Sequence, residues 1–227
     1  ALELPNEGGL VNLGIGVPEG VAKVAAEQGW LDKMTLTAEP GVIGGQPAGG
    51  LDFGTAYNTD AILTQNQQFD FYDGGGLTLA VLGMAEVDAA GNVNVSRFGT
   101  RLPGAGGFIN ISQNAHNVVF CGTFSAGGLK VEIEDGRLRI INEGKSKKFL
   151  NEVQQITFSG NRAARLEKPT LYVTERCVFR LSESGLELRE IAPGVNLEKD
   201  ILAHMDFKPA IHDLKEMDSK IFQTDPM

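Results

Sequence analysis

The 227-residue sequence predicts an α/β fold, an open, mainly parallel sheet flanked by helices, with a β-hairpin decoration in its second half. Three observations carry this reading. Apolar runs of strand length end in glycine and give way to helical spacing, the pattern by which a parallel strand feeds a crossover helix. Glycine is in large excess, with 29 residues against a usual share of roughly 7%, and 24 of them fall within residues 1–128. The second half instead alternates apolar and charged residues around an Asp-Gly turn, which marks a hairpin.

Along the chain, Leu10–Ile15 reads as a buried strand that runs into a turn at Gly14 and Gly16. Pro18 then stands at a helix start, followed by Val21, Val24, Ala25 and Gln28, with Gly29 as the stop. The spacing of Gly14, Gly16 and Gly20 misses the third glycine of a dinucleotide fingerprint by one position, so it reads as a packing turn. Met34–Ala38 is a second strand, stopped by Glu39-Pro40-Gly41. Six glycines between Gly41 and Gly54 exclude regular structure there. Asn58–Gln67 is predicted as a helix capped by Asn58 or Thr59, Phe69–Tyr72 as strand-like, and Leu77–Val87 as one long strand. Ala90-Gly91-Asn92 turns the chain into Val93–Val95. Gly104-Ala105-Gly106-Gly107 leads into a helix from Phe108, and Val118–Phe120 is a further buried strand. Val131–Glu134 and Arg137–Ile141 form the hairpin across Asp135-Gly136. Strands or short helices follow at Phe149–Phe158, Thr170–Arg176, Val178–Leu181 and Leu186–Glu190. Asn196 caps a last helix bearing Leu197, Ile201 and Met205, and the tail beyond it is irregular. Neither an internal repeat nor a Pro/Ser linker interrupts the chain, so residues 1–227 are read as one domain.

Composition excludes several functions. With 29 acidic and 20 basic side chains the net charge is −9, which offers no bulk attraction for nucleic acid or an anionic membrane. No apolar run approaches the roughly 18 residues of a membrane span. Two cysteines 56 positions apart, Cys121 and Cys177, make neither a disulfide framework nor a zinc ribbon, so a reducing compartment, the cytoplasm, is expected. His116, His204 and His212 show no ligand spacing, and no metal is expected.

The strongest chemical candidate is Glu39. Most glutamates are solvated surface groups, but this one ends a buried strand, has Lys33 as its only basic neighbour within ten residues, and is surrounded by glycines. Ligands of parallel sheets bind beyond the carboxyl ends of strands. A carboxylate so placed serves equally as a general base or as a nucleophile that forms an acyl intermediate. The Gly104–Gly107 run before a helix can turn backbone N–H groups towards an oxyanion or phosphate. Lys145, Lys147 and Lys148 read as a solvated charged face and His116 as a cap or surface residue. Cys121 and Cys177 read as core thiols, and Arg97 and Arg101 as possible contacts to a phosphate or carboxylate.

Five segments in register carry a family resemblance. They are Val11-Asn12-Leu13-Gly14-Ile15-Gly16-Val17-Pro18, Glu39-Pro40-Gly41-Val42-Ile43-Gly44-Gly45, Gly104-Ala105-Gly106-Gly107, Thr174-Glu175-Arg176-Cys177-Val178-Phe179 and Ala192-Pro193-Gly194-Val195. From about residue 9 to the end, the chain resembles the β half, which holds the catalytic glutamate, of the family I coenzyme A-transferases. Gln68-Phe69-Asp70-Phe71-Tyr72-Asp73-Gly74-Gly75-Gly76 and Leu197-Glu198-Lys199-Asp200-Ile201-Leu202 look most like the propionate and acetate transferases, in which both halves share one polypeptide.

The resemblance implies that Glu39 is the nucleophile of a ping-pong transfer of coenzyme A between a short-chain acyl-CoA and a carboxylic acid of the acetate, propionate or acetoacetate class, through a glutamyl-CoA thioester. It implies Gly106 and Gly107 as oxyanion donors, with Gly104 beside them and Gly44 and Gly45 in the same pocket. No cofactor is required, because coenzyme A is itself a substrate and one thioester is exchanged for another. The implied partners are the α-type half of the enzyme and further copies of the complete unit. Pro40 departs from the small or amide residue more usual after the glutamate. The sequence lacks an initiator methionine, and Ala1-Leu2-Glu3-Leu4 reads as the tail of a helix, so a fragment or one of two chains is expected. The readings that compete with transfer are acyl-CoA hydrolysis by the same glutamate, an effector- or phosphosugar-binding module with no need of Glu39, and a structural partner subunit.

Overall fold

The computed structural model describes residues 3–5 and 8–223, so Ala1 and Leu2 of the expected helix tail lie outside the described residues. The chain packs as two compact units. One comprises Ala1–Gly83 and Ala105–Cys121, the other Met84–Gly104 and Gly122–Met227.

The first unit is built on strands ordered Asn117–Cys121, Leu79–Gly83, Leu10–Leu13, Thr35–Ala38, Val42–Ile43 and Ala61–Ile62. The first four are mutually parallel and the last two are antiparallel additions. This is the mainly parallel sheet that the sequence predicts. Its central strands bury Val11, Leu13, Leu36, Leu79, Val81, Val118 and Phe120, since a parallel sheet needs near-continuous apolar runs. Helix Glu19–Glu27 follows Pro18 as expected, buries Ala22 and Ala25, and ends at Gly29, whose φ of 66° suits a glycine stop.

Between residues 58 and 73 the structure corrects the sequence reading. Asn58 takes a left-handed turn instead of capping a helix, Ala61–Ile62 is a strand, and the helix is Gln65–Asp73. The expected strand Phe69–Tyr72 lies inside that helix. Its start is set by a capping box in which the Gln67 side chain accepts from the Thr64 N–H at 3.2 Å. A second correction concerns Gly41–Gly54, which holds short strands at Val42–Ile43 and Gln46–Pro47 and a 3₁₀ turn at Gly50–Asp52. The expected single strand Leu77–Val87 stops at Gly83, an interior glycine that weakens the ladder, and its remainder forms Glu86–Asp88 in the second unit.

The second unit contains strands Thr170–Val173, Cys177–Ser182 and Gly185–Ile191, each antiparallel to the next. Ala210–Glu216 lies parallel to the last of them, in a tail read as irregular. That strand is half-exposed, so it lacks the apolar alternation by which strands are recognised. The hairpin Lys130–Glu134 to Arg137–Asn142 is present, with Asp135 at φ 52° and Gly136 at φ 71°, as its turn type demands. Of Phe149–Phe158, Phe149–Leu150 is a strand, and helix Gly160–Arg165 follows with the Ser159 hydroxyl accepting from Arg162 N–H. The helical turn Leu197–Ile201 is capped by Asn196 as expected and passes into a 3₁₀ turn at Leu202–His204 that stops before Met205, and a further 3₁₀ turn lies at Ser219–Phe222.

The Thr174–Phe179 segment organises this unit around a fully buried Arg176. Its guanidinium pairs with Glu143 at 2.7 Å and with Glu175 at 2.7 Å, and lies 4.7 Å from the centre of the Phe124 ring. Burial opposes the Glu143 charge, but hydrogen bonds from Arg176 and Ser125 outweigh it and hold that carboxyl below its ordinary range. Such a buried charge is tolerable because its donors are met. Cys121 and Cys177 are buried thiols, as expected, and burial pushes Cys177 well up. Lys148 corrects the solvated-face reading: it is buried, and its ammonium donates to the Thr123 carbonyl at 2.8 Å.

Candidate active site

Glu39 directly follows strand Thr35–Ala38 at the carboxyl edge of the parallel strands, the edge at which α/β sheets bind ligands. Its side chain is half-buried. The Gly107 N–H donates to the carboxylate, yet removal from water is the larger effect and raises the Glu39 pKa above its ordinary value.

Gly107 precedes helix Phe108–Asn114 with a φ of −80° that any residue adopts, so space alone requires glycine here. A Cβ at Gly107 would lie 2.7 Å from both the Glu39 Cδ and Oε2 and 2.5 Å from the Phe69 Cζ. Gly106, at φ 53° with open space beside it, supplies the left-handed turn before that donor.

The other predicted glycines behave differently. Gly44 and Gly45 take φ of 77° and 73°, and side chains there would overlap Asp60 and the Tyr57 carbonyl. The Gly44 N–H donates to the Leu36 carbonyl. They close the turn after the strand that Glu39 ends. Gly104, in the second unit, gives its N–H to the Ser96 carbonyl at 3.3 Å. Pro40 packs against Gly54, whose missing side chain makes room for it: a Cβ there would stand 2.8 Å from the proline Cγ. Arg97 and Arg101 are exposed, as is His116.

A buried polar network, missed in the sequence, lies on the strand that positions Glu39. Asn12 and Thr37 are register partners on adjacent parallel strands. The Tyr72 hydroxyl donates to Thr37 Oγ1 at 3.0 Å and accepts from Asn12 at 3.1 Å and Gln68 at 2.6 Å. Burial pushes the Tyr72 phenol up, and the Glu39 charge adds to that push, so Tyr72 stays neutral. Two signals could have revealed the network: polar residues inside the apolar strands at positions 12 and 37, and the i, i+4 spacing of Gln68 and Tyr72 on one helix face. Glu19 is a second missed residue. Its carboxylate accepts from Gly16 N–H at 2.8 Å and Gly50 N–H at 3.0 Å, which lowers its pKa, Gly16 most, and ties two glycine loops together.

Caffeate CoA-transferase of Acetobacterium woodii is 53% identical over 98% of this chain and 43% of its own length. The crystal structure of the acyl-CoA transferase YdiF from Escherichia coli O157:H7, in a thioester complex with CoA, superposes with a TM-score of 0.92. It is 48% identical, over 98% of this chain and 42% of that one. The chain is a homologue of coenzyme A-transferases. As a coenzyme A-transferase homologue it spans less than half the length of these two relatives. Acetate CoA-transferase subunit beta of Haemophilus influenzae is 28% identical over 92% of this chain and 90% of its own length. No protein-family model matches the sequence. Among the described residues no helix is long and apolar enough to cross a membrane, and no group of His, Cys, Asp or Glu could hold a metal ion.

Proposed function

We propose that this chain is the catalytic-glutamate half of an enzyme that moves coenzyme A between an acyl-CoA and a short-chain carboxylic acid, with Glu39 as nucleophile. The observation that carries the reading is the Glu39 carboxylate itself: half-buried at a strand tip, raised in pKa by desolvation, and held by one backbone donor, Gly107. A partly dehydrated carboxylate is a stronger nucleophile than a hydrated one.

In the proposed reaction a Glu39 oxygen attacks the thioester carbonyl carbon, the C–S bond breaks, and coenzyme A leaves as thiolate from an acyl-glutamyl anhydride. The thiolate then attacks the Glu39 carbonyl carbon, the acid departs as carboxylate, and a glutamyl-CoA thioester remains. A second carboxylate reverses both steps and leaves as its own acyl-CoA.

Gly107 acquires a defined role in this sequence. In every tetrahedral intermediate centred on the Glu39 carbon, the oxygen that it already holds becomes the oxyanion. A preorganised donor of this kind contributes about 2.7–4 kcal/mol to the transition state. Intermediates centred on the substrate acyl carbon need a further donor, which we assign to the α-type half, matching the length that this chain lacks relative to its longer relatives. The acid class is proposed as acetate or propionate, like the acetate CoA-transferase subunit beta among its relatives.

The test is the fate of the glutamyl thioester in the enzyme assembled with its α-type half. Thioester decay is expected to require an added carboxylate and to return acyl-CoA. Rapid decay without an acceptor would make hydrolysis the main activity.

A further inference from the structure

Helix Gln65–Asp73 brings a side chain to Glu39 that takes no part in the bond changes. The tip of the Phe69 ring and the Glu39 carboxyl press on the same face of Gly107, 2.5 Å and 2.7 Å from the point that a Cβ would occupy. The ring is held from behind: Tyr72 meets it edge-on, with centroids 5.7 Å apart and planes at 73°. Tyr72 is itself fixed by Asn12, Thr37 and Gln68. Two buried strands therefore anchor, through one tyrosine, an aromatic wall beside the nucleophile.

We infer that Phe69 is a positioning residue that excludes water from the Glu39 carbon, and so decides whether the glutamyl thioester passes to a carboxylic acid or to water. The inference rests on the transferase reading. Hydrolysis would need a water oxygen to attack the Glu39 carbonyl carbon with loss of the C–S bond, one proton going to the coenzyme A thiolate and the other to solvent. Water and an acceptor carboxylate compete for the same carbon. Glycines at 106 and 107 provide no side chain to shield it, and the ring of Phe69 lies against that backbone. The carboxyl is itself partly withdrawn from water, and desolvation is the main influence on its titration. Of the titratable groups on the helix, Asp70 and Asp73 are exposed and Tyr72 is buried and neutral, so removing the ring changes hydration rather than local charge.

Two measurements on Phe69→Ala and Phe69→Leu test this, made on the enzyme assembled with its α-type half. The first is the pH dependence of carbodiimide labelling at Glu39, read by peptide mass spectrometry, which needs no turnover. Phe69→Ala should lower the Glu39 midpoint towards that of an ordinary carboxylate, and Phe69→Leu should restore most of the difference. The second is the ratio of hydrolysis to transfer, expected to rise by about tenfold in Phe69→Ala and to recover in Phe69→Leu. An unchanged midpoint or an unchanged ratio in Phe69→Ala overturns the inference, and where the alanine variant does not fold, Phe69→Val, which also removes the ring, is held to the same two outcomes. Absence of any Glu39 thioester in the unsubstituted enzyme would count against the transferase reading, while the labelling midpoint would still decide what Phe69 does.

Discussion

Gly107 shows how much one position can be asked to do. Its N–H is the donor to Glu39, and its missing side chain is what lets the carboxyl and the Phe69 ring reach the backbone. Its ordinary φ of −80° separates these duties from folding. Gly107→Ala is therefore expected to displace Glu39 and to slow thioester formation by about 10²–10³-fold, while the melting temperature moves little. A large loss of stability with intact thioester formation, measured by calorimetry and single-turnover assay, would show that the glycine serves packing alone. Gly106 differs, because its φ of 53° makes it a conformational requirement. The sequence alone treated the two as one oxyanion-binding pair.

At the scale of elements, the loop after Glu39 has a packing duty that its glycines do not advertise. Gly44 and Gly45 read as pocket walls, yet both are pressed against the segment Tyr57–Asp60. They brace the strand end from which Glu39 projects. Gly45→Ala, which would drive a methyl group into the Tyr57 carbonyl, should destabilise the fold by about 1–3 kcal/mol, read as a drop in the denaturation midpoint. Unchanged stability with weakened substrate binding would make the glycine a pocket wall and not a brace. The parallel strands, helix Glu19–Glu27 and the hairpin were legible, because each has a strong local signal: a buried apolar run, a glycine stop, an Asp-Gly turn. Helix Gln65–Asp73 was not, because Phe69-Asp70-Phe71-Tyr72 alternates like a strand, and only the Thr64/Gln67 capping box reveals the true period. That misreading hid Phe69, Gln68 and Tyr72 together. The strand Ala210–Glu216 was illegible for the opposite reason: pairing with Gly185–Ile191 fixes it, not its own pattern.

On the scale of the molecule, the candidate site centred on Glu39 lies within the first unit. Glu39, Gly107, Phe69 and the Tyr72 network all belong to Ala1–Gly83 and Ala105–Cys121. The glycine excess of residues 1–128 anticipates this concentration. It gives no hint that Met84–Gly104 leaves the first unit for the second, because the apolar run from Leu77 continues through the break at Gly83. The position of Glu39 was legible from the strand it ends, whereas the identity of its neighbours depended on tertiary packing. Under the proposed function, the length relation to the longer transferases makes the α-type half part of any assay of the whole. Covalent catalysis by Glu39 is tested most directly by mass spectrometry of the assembled enzyme after incubation with acetyl-CoA. A coenzyme A adduct is expected on the peptide containing Glu39, with borohydride converting that residue to its alcohol. An active enzyme whose Glu39 stays unmodified under those conditions would contradict it.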